Sequence, residues 1–150
     1  FMRQEQHEKL WKTTALSSVA VDGIAFVMTL HSEYLDWRHG GDYSEFCNKL
    51  RHLFGELRAA TIEAIFVFDG LSPPEKDETS YARRMEKYSV LKSFLRGNDV
   101  GDEGPTPCMI QTFAKKVMAE FSIEFLTTDY EADAPLVRVA RDRGAFIVSS

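Results

Sequence analysis

The stretch IFVFDGLSPPEK, residues 65–76, decides how the rest of the chain is interpreted. Its first four residues are all β-branched or aromatic, which is typical of a short buried strand. The run ends directly on Asp69, and Gly70 is expected to let the chain turn sharply. Pro73 and Pro74 stiffen the exit and prevent a helix from continuing through it. The stretch therefore predicts a central strand that holds a carboxylate at its carboxyl end.

Three further short apolar runs predict strands of the same kind. They are Val19–Val21, Ile123–Leu126 and Ala145–Val148. After the first run the apolar pattern continues past Asp22, and Gly23 indicates that the strand stops there and a helix begins.

Helical patterns lie between the predicted strands. Two segments place apolar residues on one helix face: Phe46, Leu50, Leu53, Phe54 and Leu57, then Met109, Phe113, Val117 and Phe121. A third helix is expected after Thr128 or Asp129, with Pro135 in its first turn and Leu136, Val139 and Ala140 buried. Gly97–Pro107 is rich in Gly, Pro and Asp and predicts a flexible loop. Strands that alternate with helices predict a three-layer α/β fold, with a central, mainly parallel sheet and helices on both faces.

The composition fits one intracellular domain. The chain has 150 residues, of which 44% are hydrophobic, and its formal net charge of -5 neither requires nor excludes a nucleic-acid partner. Cys47 and Cys108 form no C-x-x-C pair, and the four histidines have no metal-ligand spacing, so surface or partly buried histidines are expected. No apolar run could span a bilayer, and the polar start is not a secretory signal. The chain opens at Phe1 and ends inside an apolar run, so we expect a domain, residues 1–150, that is truncated at both ends.

Acidic residues follow three of the predicted strands. Asp22 ends the first, Asp69 ends the second, and Glu131 and Asp133 follow the third at the start of a helix. Open parallel sheets bind ligands outside the carboxyl ends of their strands, so the four carboxylates are expected to converge. A divalent cation would relieve their mutual repulsion, and an all-oxygen donor set suits Mg²⁺ or Mn²⁺, two of which commonly serve phosphodiester hydrolysis. Helix caps and turns are the competing interpretation, which placement alone leaves open and which we adopt for Asp129.

The segment after the prolines, Ser80–Arg96, predicts a basic helix. It carries five basic residues against the single acid Glu86: Arg83, Arg84, Lys87, Lys92 and Arg96. Four apolar or aromatic residues are interleaved with them: Tyr81, Met85, Tyr88 and Leu95. Such cations attract phosphates, and the rings could stack on unpaired bases. A solvated helix whose Tyr and Met side chains pack on the core is the alternative.

Four motifs resemble those of the XPG/flap-endonuclease family, in the same order. VFDGLSPPEK resembles the family signature V-F-D-G-x-P-P-x-x-K with one extra residue, and VDG at residues 21–23 resembles its first metal-binding motif. YEADAPL at residues 130–136 resembles the E-A-E-A motif, with Asp133 in place of the usual Glu. The final AFIVSS resembles the strand that leads into a D-S-D-like pair of ligands. Within the family, LDWRHGGDYSEF at residues 35–46 looks most like the Asteroid branch.

The resemblance implies a PIN-like (Rossmann-like) nuclease fold and a structure-specific, metal-dependent endonuclease acting on DNA flaps, overhangs or single-strand/double-strand junctions. It implies that four acids bind two Mg²⁺ or Mn²⁺ ions: Asp22, Asp69, Glu131 and Asp133. It also implies that Lys76, with Arg83 or Arg84, lies near the scissile phosphate. With them, the cations Lys87, Lys92 and Arg96 would bind single-stranded or branched DNA.

The resemblance leaves part of the predicted site outside the chain. The family's N-terminal motif is missing, and the D-S-D-like acids are expected directly after Ser150. The alternative function is a catalytically inactive PIN-like module that binds nucleic acid or a protein, and an Asp-x-Asp after Ser150 would favour catalysis. A phosphatase or receiver domain ranks last, because it explains the strand-end acids but not the basic helix. RNA and a protein recruiter are further candidate partners, no membrane is expected, and the expected location is nuclear.

Overall fold

The computed structural model describes residues 17–34, 38, 41–100 and 106–149, and in these residues four parallel strands form one sheet. The elements run in the order β1 (Ser18–Asp22), α1 (Gly23–Tyr34), α2 (Tyr43–Ala59), β2 (Glu63–Phe68), a 3₁₀ turn (Pro74–Lys76), α3 (Asp77–Leu95), α4 (Ile110–Glu120), β3 (Glu124–Thr127), α5 (Asp133–Arg143) and β4 (Phe146–Val148). The predicted α/β class and the parallel sheet are confirmed.

The strands lie in the order β3-β2-β1-β4, and all three neighbouring pairs are parallel. Val21 is in register with Phe66, and Asp22 is in register with Val67. On the other side of β2, Phe68 is in register with Thr127. The carboxyl ends of β1, β2 and β3 therefore finish at one edge of the sheet, as the sequence predicted.

The larger core lies between the sheet and three helices, α1, α2 and α4. Alternate strand residues face it, since successive side chains of a strand point to opposite faces: Val19, Val21, Phe66 and Phe68. Phe46 and Phe54 of α2 and Val117 and Met118 of α4 are fully buried against them. Each such side chain stabilises the fold by roughly 1.5–3 kcal/mol relative to leaving it exposed.

The second core lies on the opposite face, where α5 packs. Ala20, Ile65 and Val67 supply the strand side, and Ala132, Leu136 and Ala140 supply the helix side. Leu136 and Ala140 are buried and Val139 is partly buried, which confirms the predicted inner face of α5. Helices on both faces of the sheet make the three layers that the sequence predicted.

Several boundaries differ from the predicted ones. β2 begins two residues earlier, at Glu63, and β3 is shifted by one residue to Glu124–Thr127. The basic helix begins at Asp77 instead of Ser80, because Pro74 opens a 3₁₀ turn that leads directly into α3, and a proline in a first turn needs no N–H partner. Residues 97–100 and 106–107 of the predicted loop lie outside helices, and residues 101–105 lie outside the described residues.

Helix α3 does not pack into either core. It contains no buried residue, and Tyr81, Tyr88 and Leu95 are 62%, 58% and 75% exposed. The interpretation in which its Tyr and Met side chains pack on the core is therefore wrong. The helix follows the 3₁₀ turn directly, and among the described helices and strands this turn is the element that it contacts repeatedly.

The cysteines and histidines of the described residues differ in their burial. Cys47 is a buried free thiol and Cys108 an exposed one. His52 is exposed, whereas His31 is buried and its Nε2 has no hydrogen-bond partner among the described residues. His7, His39 and residues 35–37 and 39–40 of the Asteroid-like segment lie outside the described residues. Within the described part of the chain, no helix has both the length and the apolar character needed to cross a membrane.

Candidate active site at the carboxyl edge of the sheet

Asp22 occupies the junction between β1 and α1. Its Oδ1 accepts hydrogen bonds from the backbone N–H groups of Ile24, at 3.0 Å, and Ala25, at 2.9 Å. This is the geometry of a helix N-cap, one of the two interpretations that the sequence left open. The second oxygen, Oδ2, has no hydrogen bond to any described residue. Asp22 therefore caps α1 with one oxygen, and its other oxygen is without a hydrogen-bond partner among the described residues.

Asp69 follows β2 and is bound to the start of α5. Its Oδ1 accepts a hydrogen bond of 2.6 Å from the backbone N–H of Ala132, which is buried. One residue further on, the N–H of Gly70 donates to the carbonyl of Tyr130 at 2.7 Å. The loops that follow β2 and β3 are thus bonded to each other beyond the ends of their strands. This pairing brings the second and third acidic segments of the sequence side by side.

Gly70 permits this close pairing of the two loops. A Cβ atom at this position would lie 1.8 Å from the carbonyl oxygen of Thr128 and 2.6 Å from that of Asp129. The N–H of Leu71 donates to the same Asp129 carbonyl at 2.9 Å. Gly70 does not have a positive φ, so a left-handed backbone conformation is not what requires glycine at this position. A glycine is needed here because two backbones approach each other too closely for any side chain.

Glu131 pairs with Lys76 across the site. The Lys76 ammonium donates to Oε1 of Glu131, and the two side chains are 57% and 45% exposed. This hydrogen bond is the main cause that raises the pKa of Lys76, and the negative charges of Glu131 and Asp133 raise it further. The carboxylates of this loop therefore create a potential that favours a cation at the position of the ammonium group.

Asp133 is the first residue of α5, and its exposed side chain has no hydrogen bond to a described residue. A carboxylate in this position is stabilised by the positive end of the helix dipole. Its charge reaches the Lys76 ammonium, since it contributes to the raised pKa of that lysine. The helix dipole thus explains why an acid is found at position 133. Its carboxylate also remains unbonded to any described residue at the carboxyl edge of the sheet.

The two candidate arginines differ in their surroundings. The positive charge of Arg83 opposes the raised pKa of Lys76, so its guanidinium group lies within electrostatic reach of the ammonium. The Nε of Arg84 instead donates to the carbonyl of Ser80, one turn earlier in its own helix, at 3.3 Å. The geometry favours Arg83 over Arg84 as the partner of Lys76.

The four predicted acids lie on the expected edge but are not gathered into a ligand sphere. Carboxylate oxygens are the donors that Mg²⁺ and Mn²⁺ prefer, so the residue types fit such an ion. In the part of the chain that the structure describes, however, no three His, Cys, Asp or Glu side chains have the spacing of a metal site. Glu131 has the Lys76 ammonium as its counter-charge.

Lys115 is a cation at this edge that no sequence pattern distinguishes. Its Nζ lies 4.5 Å from the centroid of the Phe68 ring and donates to Oγ1 of Thr127 at 3.0 Å. Desolvation by burial lowers its pKa. Phe68 and Thr127 end β2 and β3, so the ammonium group lies beside the strand ends that carry the acids. Nothing in the helical pattern of α4 distinguishes it from the neighbouring Lys116.

A groove of about 480 Å³ lies at the opposite edge of the sheet and is not part of this site. Its two arginines are already engaged: Nη2 of Arg58 donates to the carbonyl of Phe121 at 2.8 Å, and Nη2 of Arg143 donates to Glu124 at 3.0 Å. The groove therefore presents no unpaired arginine to a phosphate.

The chain is similar in sequence or in fold to several known proteins. The human and Pongo abelii proteins named "Single-strand DNA endonuclease ASTE1" are each 28% identical to the chain over 137 residues, which is 89% of this chain and 20% of the relative. The catalytic core of Rad2 in complex with DNA substrate superposes with a TM-score of 0.51 at 22% identity, over 83% of this chain and 37% of that one. These two matches support the resemblance to the XPG/flap-endonuclease family. No protein-family model matches it.

This XPG-like chain shares the PIN-like fold of the Rad2 core, and the ASTE1 match confirms the resemblance to the Asteroid branch. The chain spans about a fifth of the length of the curated relatives that it matches.

Proposed function

We propose that this XPG-like chain is the nuclease part of a divalent-metal-dependent endonuclease that hydrolyses DNA phosphodiesters at flaps, overhangs or single-strand/double-strand junctions. One observation carries the proposal. The hydrogen bond between Asp69 and the backbone of Ala132 joins the loops after β2 and β3, so that Asp69, Glu131 and Asp133 share one edge with Lys76. Nuclease activity is also the function named for the similar human protein.

The metal would be held by four carboxylates: Asp22, Asp69, Glu131 and Asp133. When bound there, Mg²⁺ or Mn²⁺ supplies Lewis acidity to the phosphoryl group and lowers the pKa of a coordinated water molecule. Asp22 and Asp69 each use Oδ1 for a backbone N–H, which orients Oδ2 for the ligand role. We expect further acidic ligands in the residues that follow Ser150 in the full-length protein, of which residues 1–150 would be a part.

The cations near these acids would bind and orient the phosphate. Lys76 reaches the acidic loop, and Arg83 lies within electrostatic reach of it, so both can stabilise negative charge on the phosphoryl oxygens. Lys87, Lys92 and Arg96 continue the positive charge along α3, where non-specific attraction to the DNA backbone would hold the strand.

A catalytically inactive nucleic-acid-binding module is the second candidate, and one observation favours it. Within the described residues the acids do not have metal-site spacing, and Glu131 is paired with Lys76. In such a module the cations of α3 would keep their role and the carboxylates would have structural roles as caps and loop ties. A nuclear location, binding to RNA and a protein recruiter remain proposals under either function.

Cleavage of end-labelled DNA tests the proposal. Flap, overhang, fully single-stranded and duplex substrates, with matched RNA strands, are incubated with Mg²⁺, Mn²⁺ or EDTA. We expect cleavage near junctions with either metal and none with EDTA or with the Asp69→Asn variant. Metal-dependent cutting that persists in this variant would contradict the metal-site assignment. Binding without cutting under every condition would support the inactive module.

A further inference from the structure

Lys115 on α4 is a partly buried cation that has no acidic partner among the described residues. Its Nζ lies 4.5 Å from the centroid of the Phe68 ring and donates a hydrogen bond of 3.0 Å to Oγ1 of Thr127. Burial lowers the pKa of Lys115, and no carboxylate of the described residues raises it again. Lys76, by contrast, is exposed and has Glu131 as its counter-charge. The positive charge of Lys115 is therefore partly withdrawn from water without compensation by an anion.

Packing against Phe68 does not by itself explain an ammonium group at this position. The Phe68 ring is fully buried, and a Cβ atom on Gly23 would lie 2.7 Å from it, so its surroundings are dense. Withdrawing a charge from water costs free energy unless the charge is paired, whereas a methionine of similar length would cover the same ring without that cost. The cation–π contact offsets part of it. A ligand of opposite charge would supply the rest of the compensation.

The Lys115 ammonium group lies at the carboxyl ends of the strands that carry the acids. Phe68 and Thr127 are the last residues of β2 and β3 and are in register, and Asp69 follows Phe68 directly. Thr127 is exposed, and because its Oγ1 accepts from Lys115, its hydroxyl proton is available to a ligand. A cation and a hydroxyl group are thus adjacent beside the acidic edge. Lysine and threonine side chains are common donors to the phosphate oxygens of nucleic acids.

We propose that Lys115 and Thr127 bind a backbone phosphate of the nucleic acid, next to the phosphate that is cut. The inference rests on the proposed nuclease function and adds to it a contact from α4 and β3, outside α3. Every nucleotide carries a phosphate, so a strand whose reacting phosphate lies near Asp69 and Lys76 brings further phosphates past the ends of adjacent strands. The site formed by Lys115 and Thr127 binds one of these and fixes the register of the nucleic acid relative to the acids.

Binding measurements with Lys115→Met test the site, because methionine keeps the length of the side chain and removes the charge. The probe is a fluorescently labelled DNA flap. Each variant is made in an Asp69→Asn parent and measured in EDTA, so that no cleavage occurs. We expect the affinity to fall about five- to tenfold and the slope of log affinity against log salt concentration to decrease by about 0.7–0.9, as for one lost phosphate contact. Urea unfolding should show that Lys115→Met is at least as stable as its parent.

Lys116→Met is the matched control. Lys116 is the next residue of α4, is exposed, and lines a groove between α2 and α4 together with Arg51 and Glu120. Removing this charge should leave both the affinity and the salt slope at the parental values. Lys115→Arg retains a cation and should retain the slope. Thr127→Val removes only the hydroxyl group, so it should weaken binding without changing the slope.

Neutral methylphosphonate linkages, placed at one position of the flap at a time, identify the bound phosphate. In the parent protein, one linkage near the junction should weaken binding because it removes the charge that Lys115 contacts. In Lys115→Met the same linkage should cause no further loss, whereas linkages at other contacted phosphates should keep their effects. A purely structural role of Lys115 would not produce this loss of sensitivity at a single position.

Each of three results would overturn the proposal. An unchanged salt slope in Lys115→Met together with lower stability would assign the residue to packing on Phe68. Equal changes in Lys115→Met and Lys116→Met would indicate a general charge effect. The same methylphosphonate profile in the parent and in Lys115→Met would show that the ammonium group contacts no phosphate.

The outcome is separable from that of the nuclease proposal. If the protein with native Asp69 cuts flap DNA with Mg²⁺ while Lys115→Met has the parental methylphosphonate profile, the phosphate site alone is wrong. If no DNA is cut under any condition but the profile changes as expected, the nuclease proposal fails and the phosphate site stands.

Discussion

Asp69 accepts a hydrogen bond from the backbone N–H of Ala132 at 2.6 Å, across 63 positions of sequence. This contact joins the loop after β2 to the start of α5 and gives Asp69 a structural role beside its proposed chemical one. Substitutions at this position can separate the two roles, because an asparagine side chain retains the accepting oxygen and loses only the charge.

Asp69→Asn should therefore abolish metal-dependent cleavage and leave the free energy of unfolding nearly unchanged. Asp69→Ala should abolish cleavage and also destabilise the protein by about 1–2 kcal/mol, because the buried N–H of Ala132 loses its partner. Urea unfolding of both variants, together with the cleavage assay, measures the difference. Equal stability of the two variants would show that this hydrogen bond contributes nothing to the fold.

Gly70→Ala should destabilise the protein by about 1–3 kcal/mol, because the new Cβ would collide with the backbone of Thr128 and push the paired loops apart. Cleavage should fall as well, since Asp69 would move away from Glu131. Gly55→Ala is the matched control: a Cβ there meets no atom within 4 Å, and alanine in a helix is favoured by about 0.5–1 kcal/mol. Thermal unfolding should show opposite shifts, and a Gly70→Ala protein as stable as the parent would contradict the observed loop pairing.

Lys76→Gln should lower the cleavage rate about 10²-fold, because a preorganised positive charge at the phosphate is lost. Its effect on stability should be slight, since Lys76 and Glu131 form an exposed ion pair. Lys49→Gln removes a comparable exposed pair with Glu45, on helix α2. This control should cut at the parental rate. Equal losses in both variants would indicate a general charge effect and not a specific role for Lys76.

Arg83→Gln should impair cleavage more than Arg84→Gln. Arg83 lies within electrostatic reach of Lys76, whereas Arg84 is bonded to the carbonyl of Ser80 in its own helix. Single-turnover cleavage at saturating enzyme compares the chemical step, and parallel binding measurements show whether Arg84 acts on affinity instead. A larger loss in the cleavage step for Arg84→Gln would reverse the assignment.

His31 should make the protein less stable in mild acid. Desolvation by burial, followed by the positive charge of Lys87, lowers its pKa below the ordinary value of 6.5. The unfolded chain then binds more protons than the folded one, so stability falls as the pH drops below 6.5 and levels off below the folded pKa. The slope from this one group cannot exceed about 1.4 kcal/mol per pH unit.

Urea unfolding between pH 7.5 and 5 in the parent and in His31→Gln measures this contribution as the difference between two curves. His52→Gln is the control, because His52 is an exposed histidine in helix α2. We expect only the His31 substitution to flatten the curve. Parallel curves for the parent and His31→Gln would show that the buried imidazole does not titrate in this range.

Sequence patterns predicted most of the strands and helices, because a buried strand or helix face requires apolar residues at a spacing that is visible within a few residues. The apolar run before Asp69 and the helical spacing around Leu136 are both read within a few residues, and both lie where expected. The placement of Asp22, Asp69 and Glu131 at one edge followed from the parallel sheet alone.

Contacts between distant segments could not be predicted in the same way. A glycine is required at position 70 because of the backbone of Thr128, 58 positions later. Lys115 is distinguished from other lysines only by its contact with the ring of Phe68. The exposure of Tyr81 depends on where α3 is attached, which the pattern of its own residues does not encode.

The side chains of Asp22 and Asp69 have already lost conformational entropy in the folded protein. Each carboxylate is fixed by Oδ1 on a backbone N–H, so its rotation is restricted before any ligand arrives. The conformational cost of ordering these two side chains is thus met during folding, and a ligand on the second oxygens does not incur it again. Two aspartates that look like ordinary caps and loop ties would, for that reason, be preorganised donors in the proposed metal site.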